Sequence, residues 1–135
     1  MALVALGGNV TSPDFGRPEH VLRAALSRIG GESVRLVSAS RLYRTPAFPP
    51  GSGPDFVNAV AMLRTTLGPS ALLAHLHAVE RGMGRVRRTR WAARTLDLDL
   101  LAMGKRVVPD ERTLRAWMEL PLEAQKKEAP SGLVL

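Results

Sequence analysis

At 135 residues, 45% hydrophobic and 23% charged, the chain is long enough to bury one substantial core and is read as a single domain over residues 1–135. No apolar run approaches the roughly 20 residues that span a bilayer. With no cysteine the sequence excludes disulfides, zinc–thiolate sites and thiol nucleophiles, so a cytoplasmic protein away from membranes is expected, and its net charge of +7 points to anionic partners.

Ala2-Leu3-Val4-Ala5-Leu6 is apolar throughout, as a strand covered on both faces would be. Gly7-Gly8-Asn9 reads as the turn that ends it. Pro18 suits the first turn of a helix, and Val21, Leu22, Ala25, Leu26 and Ile29 recur at helical spacing before Gly30-Gly31. From Ser33 to Tyr43 an alternating, β-branched pattern predicts one strand.

Residues Arg44 to Pro54 hold four prolines and two glycines, which predicts a stiff loop that loses little entropy when its backbone meets a ligand. Phe48 in that loop either caps a flat ring or pins the loop to the body. Asp55 to Thr66 reads as a strand with Phe56, Asn58, Val60 and Met62 on one side. Asn58 interrupts an apolar face; a buried amide needs partners, which are either a neighbouring loop or the edge of a heterocycle.

Gly68-Pro69 opens a second helix with Leu72, Leu76, Val79 and Met83 in one stripe, ending near Gly84. His77 and Glu80 share another face. Glu80 heads toward basic residues, as a salt-bridge partner or a nucleotide contact. Between Arg81 and Arg94 there are six arginines, and no acidic residue lies between Glu80 and Asp97. Such a stretch repels itself until an anion arrives, and guanidinium forks grip phosphate oxygens two at a time.

The stretch Arg94-Thr95-Leu96-Asp97-Leu98-Asp99-Leu100-Leu101 alternates leucine with aspartate. On a strand the leucines face a core and the carboxylates stand roughly 6–7 Å apart on the other side. Two neighbouring anions must take up a proton or share a cation, and hard oxygen ligands favour magnesium completed by water and substrate phosphates. The bland alternative is a solvated strand face beside a basic loop. Beyond it, Gly104 turns into Lys105–Val108 as a short hairpin partner. Residues 110–128 are helical in part, with Leu114, Trp117, Met118 and Leu122 as apolar members and Pro121 breaking the run.

Strand, helix, strand, strand, helix, strand is a ferredoxin-like α+β order, an α/β sandwich whose antiparallel sheet carries helices on one face. Tyr43-Arg44-Thr45-Pro46, Pro54-Asp55-Phe56-Val57-Asn58-Ala59, Arg90-Trp91 and Arg94-Thr95-Leu96-Asp97-Leu98-Asp99, joined with Ala5-Leu6-Gly7-Gly8-Asn9, resemble the hydroxymethyldihydropterin pyrophosphokinase family from about residue 2 to residue 108. The resemblance implies an ATP-dependent pyrophosphokinase of folate biosynthesis. Its reaction carries pyrophosphate from ATP to the hydroxymethyl group of 6-hydroxymethyl-7,8-dihydropterin and releases AMP. On that likeness Asp97 and Asp99 hold two Mg2+ ions, and Arg85 and Arg94 grip phosphates. Thr45, Pro46, Phe48, Phe56 and Asn58 form the pterin pocket. His77, Glu80, Arg87 and Trp91 serve ATP, the last two from a lid. Monomeric action on small molecules is implied.

Two other readings compete. The family continues past a stretch like Gly132–Leu135 into a His-Pro-Arg segment and an aromatic strand, so a chain that stopped at Leu135 would be a catalytically impaired ATP-binding homologue. The other is an RNA-binding ferredoxin-like module. Three Phe, one Tyr and two Trp, none in an RNP1 pattern, argue against RNA, and the paired aspartates would repel a nucleic-acid backbone.

Overall fold

The computed structural model describes residues 1–84, 94–125 and 127–135. Its elements run β1 (Ala2–Gly8), α1 (Pro18–Ile29), β2 (Val34–Ala39), β3 (Tyr43–Thr45), β4 (Phe56–Thr65), α2 (Pro69–Gly82), β5 (Asp97–Met103), α3 (Glu111–Met118) and α4 (Leu122–Gln125). The sheet has the order β2-β4-β1-β5, with β3 also paired to β4, and every pairing is antiparallel. This is the α+β, ferredoxin-like arrangement expected from the sequence.

Alternation decides which face is covered. Val4 and Leu6 of β1, Ala59, Ala61 and Leu63 of β4, and Leu98 and Leu100 of β5 are buried under the two long helices. From α1 come Val21, Leu22, Ala25 and Ile29, and from α2 Leu72 and Leu76, all fully buried at the spacing of one helical face. Each fully buried Leu or Val contributes about 1.5–3 kcal/mol of transfer free energy. α1 packs on β1, β2 and β4, while α2 packs on β5 and on α1.

Four expectations change. Gly7 and Gly8 do not turn: β1 runs through them, opposite Asn58 and Val57 on one side and, at Gly7, Asp97 on the other. The strand expected over Ser33–Tyr43 is two. Ser40 separates them, its N–H donating to Val60 O and its Oγ accepting from Val60 N, so that β2 and β3 line up in succession along the same edge of β4.

Asn58 does not interrupt a buried face. Its companions Val60 and Met62 are 40% and 38% exposed, so their side of β4 is the open face of the sheet. Finally, Lys105–Val108 forms no hairpin with β5. Val108 exchanges both backbone hydrogen bonds with Leu135 instead.

The stretch after β5 is divided at Pro121 into α3 and α4. Asp110 caps α3 by accepting from Thr113 N at 2.8 Å, and that bond holds its carboxyl below the usual carboxylate range. No residue of α3 or α4 is buried.

Candidate active site

The open face of the sheet carries the polar residues that its alternation excludes from the core. Across the adjacent strands β4, β1 and β5, Asn58, Gly7 and Asp97 stand in one transverse row, and Val60, Ala5 and Asp99 in the next. Two strand spacings separate Asn58 from Asp97, about 10 Å. Only a glycine lies between them, so the floor of that row is bare backbone. A Cβ on Gly7 would come 2.8 Å from Asn58 Oδ1. Gly7 is therefore a spacer on the open face rather than part of a turn, and Gly8 allows a different close approach, since a Cβ there would lie 2.5 Å from Thr95 O.

A cleft of about 230 Å³ opens at the Gly8 end of β1, lined by Asn9, Pro46, Phe48, Ser52, Phe56, Arg94 and Asp97. Five of these residues, Pro46, Phe48, Phe56, Arg94 and Asp97, are site candidates from the sequence. Phe48 is 53% exposed on the proline-rich loop, and Phe56 is half-buried at the start of β4. The cleft thus has an aromatic side and a charged side. Next to it Asn58 Nδ2 donates to Thr45 Oγ1 at 2.7 Å, which fixes the amide on the strand pair β3–β4.

On the charged side the guanidinium of Arg94 donates through Nη1 to Asp97 Oδ2. Their side chains are 26% and 16% exposed, so the pair is sheltered but reachable. Asp97 and Asp99 share the open face of β5, which is an edge strand. Among the described residues no group of three or more His, Cys, Asp or Glu gathers to hold a metal. A pair of carboxylates on an open edge fits magnesium, which commonly takes one or two protein carboxylates and completes its shell with water and phosphate oxygens.

Glu80 of α2 lies beneath. It is 2% exposed, and its Oε1 accepts from Leu98 N at 2.7 Å, satisfying an edge donor between the two aspartates. His77 is half-buried on the same helix. Its neighbour His75 meets Ile29 O at 2.8 Å through Nε2, joining α2 to the end of α1. Arg85, Arg87 and Trp91 lie outside the described residues.

Asn9 and Ser52 escape a search for charged or aromatic motifs. Asn9 is 6% exposed, and three of its polar atoms are used: Oδ1 accepts from Arg94 N at 2.8 Å, its own N–H donates to Arg94 O at 2.9 Å, and Nδ2 donates to Pro54 O at 3.1 Å. A polar amide directly after two glycines at a strand end is the signal that marks it.

Comparison with known proteins gives a consistent result. The family model described as 7,8-dihydro-6-hydroxymethylpterin-pyrophosphokinase matches residues 3–127. The 2-amino-4-hydroxy-6-hydroxymethyldihydropteridine pyrophosphokinase of Haemophilus influenzae is 42% identical over 112 residues, which cover 82% of this chain and 67% of that protein. The enzyme of the same name from Pseudomonas putida is 44% identical over 112 residues, 82% of this chain and 88% of its own length. That of Pseudomonas aeruginosa is 42% identical over 106 residues, 78% of this chain and 62% of the relative. This chain belongs to the hydroxymethyldihydropterin pyrophosphokinase family.

Proposed function

We propose that residues 1–135 act as one ATP-dependent pyrophosphokinase domain of folate biosynthesis, transferring the β,γ-pyrophosphoryl group of ATP to the hydroxymethyl group of 6-hydroxymethyl-7,8-dihydropterin. The observation that carries this reading is a cleft that brings Pro46, Phe48 and Phe56 together with Arg94 and Asp97. A flat heterocycle with a short hydroxymethyl arm suits the aromatic side, and its arm then reaches toward the charged side, where a polyphosphate belongs.

In this reading the ring stacks on Phe56 while Phe48 closes the mouth. Backbone groups of Thr45 and Pro46 and the amide of Asn58 meet the ring edge. The bond from Asn58 to Thr45 pre-sets that amide, so little entropy is lost on binding. The pterin oxygen attacks the β-phosphorus; the new O–P bond forms as the bond from that phosphorus to the α,β-bridging oxygen breaks. AMP leaves with the bridging oxygen, and the hydroxyl proton passes to solvent.

Arg94, with Arg85, neutralises charge on the transferred group and the leaving AMP. Asp97 and Asp99 would hold two magnesium ions, whose Lewis acidity would neutralise phosphate charge and ease loss of the pterin hydroxyl proton. His77, Glu80, Arg87 and Trp91 serve the nucleotide. Catalysis is then chiefly positioning and charge stabilisation, as is general for phosphoryl transfer. The enzyme is read as a cytoplasmic monomer acting on small molecules, apart from nucleic acid and membranes; no helix among the described residues is long and apolar enough to cross a membrane.

The test is AMP formation from ATP, magnesium and hydroxymethyldihydropterin. Asp97→Asn and Asp99→Asn each lower kcat by about a hundredfold or more. Because both side chains lie on the open face, their melting temperatures stay close to that of the parent chain. AMP formation that ignores the pterin, or that survives both substitutions, overturns the assignment.

A further inference from the structure

The amide of Asn9 sits between the two sides of the cleft. Its acceptor Oδ1 and its main-chain N–H hold the backbone of Arg94 at both N and O, 85 residues away in sequence. Its donor Nδ2 holds Pro54 O, 45 residues away, at the end of the loop that carries Pro46, Phe48 and Ser52. Bare Gly8 lets Thr95 come close enough for the Arg94 bonds to form. The side chain is nearly excluded from solvent, so losing either bond leaves a buried donor or acceptor uncompensated.

We propose that Asn9 is a positioning residue for the pyrophosphoryl transfer, one whose single amide ties the ring-binding loop at Pro54 to the phosphate-binding Arg94. This rests on the proposed function of the cleft. The amide suits the task because it presents an acceptor to one side and a donor to the other. A carboxylate keeps the acceptor and lacks the donor; an alanine lacks both. The bond to Pro54 can therefore be cut alone, and then together with the side-chain bond to Arg94. The Pro54 bond sets where the loop holds the pterin, and the Arg94 bonds set where the guanidinium meets the charged end of the substrate.

The experiment compares the parent chain with Asn9→Asp and Asn9→Ala in steady-state kinetics for both substrates. Asn9→Asp keeps the bond to Arg94 N and loses the one to Pro54 O. Its KM for the pterin is expected to rise about tenfold, the effect of one uncompensated buried bond, while its KM for ATP and its kcat stay near the parent's. Asn9→Ala also lowers kcat, by about a further tenfold, because Arg94 is then held less firmly. Kinetic constants that are unchanged in both variants overturn the proposal. So do two variants that lose activity equally and only in proportion to a lowered melting temperature, which is the mark of a purely structural residue.

If the parent chain itself makes no AMP, the functional reading fails on its own, and the tie is read from hydrogen exchange instead. The Arg94 amide is then protected in the parent and in Asn9→Asp and exchanges faster in Asn9→Ala; equal protection in all three overturns the tie.

Discussion

Gly7 and Gly8 are adjacent and chemically identical, yet a methyl group on each meets different neighbours. On Gly7 it meets the end of a side chain, Asn58 Oδ1 at 2.8 Å, which can swing aside. Swinging breaks the 2.7 Å bond to Thr45 and leaves the ring-edge amide unset. Gly7→Ala is therefore expected to unfold at nearly the parent's denaturant midpoint while weakening pterin binding about tenfold, the effect of one lost hydrogen bond to a positioned group. On Gly8 the methyl meets the backbone carbonyl of Thr95 at 2.5 Å, which yields only if the Arg94–Thr95 segment moves. Gly8→Ala should lose about 1–3 kcal/mol in denaturant unfolding, the usual cost of overpacking. That exceeds the roughly 0.5–1 kcal/mol that replacing a strand glycine otherwise returns. A Gly8→Ala chain as stable as its parent would show that the approach can relax.

At the scale of elements, the contact that sets β5 against α2 is the bond from Leu98 N to Glu80 Oε1. β5 is an edge strand among the described residues, where this N–H meets no further strand. Glu80→Ala leaves the donor buried and is expected to cost about 1–3 kcal/mol and to lower kcat, because Leu98 lies between Asp97 and Asp99. Glu80→Gln keeps an acceptor oxygen in place and should retain most of both. A Glu80→Gln chain of parental stability whose KM for ATP rises would instead assign the carboxylate to the nucleotide.

The elements were also the most legible part of the sequence. Pro18 and the spacing of Val21, Leu22, Ala25 and Ile29 predict α1 at the bounds found. The Leu/Asp alternation predicts which face of β5 is buried, although the strand begins at Asp97 rather than Arg94. The continuous pattern from Ser33 to Tyr43 predicts one strand where there are two; what divides β2 from β3 is Ser40 bonding to Val60, a residue 20 positions away.

For the whole molecule, a net charge of +7 acts on the two substrates unequally. ATP is a polyanion and the pterin is uncharged at neutral pH, so long-range attraction assists only the first. Raising ionic strength from about 0.05 to about 0.5 M, which shortens the Debye length well below 10 Å, should raise KM for ATP severalfold and leave KM for the pterin nearly unchanged. Equal sensitivity of both constants would mean that binding of the nucleotide depends on short contacts alone.

By itself the sequence determined the period of the two long helices and of β5, the apolar face each of these buries, and the pairing of two carboxylates with an arginine at one strand end. These are local properties: alternation and helical spacing are read within a few residues, and like charges two apart on a strand must face the same way. Only the tertiary structure decided that the Asn58 face is open, that Gly7 leaves bare floor between Asn58 and Asp97, and that Asn9 joins Pro54 to Arg94. Each of those depends on which strands become neighbours, a choice made by burying the common core between sheet and helices, and no window of adjacent residues contains it.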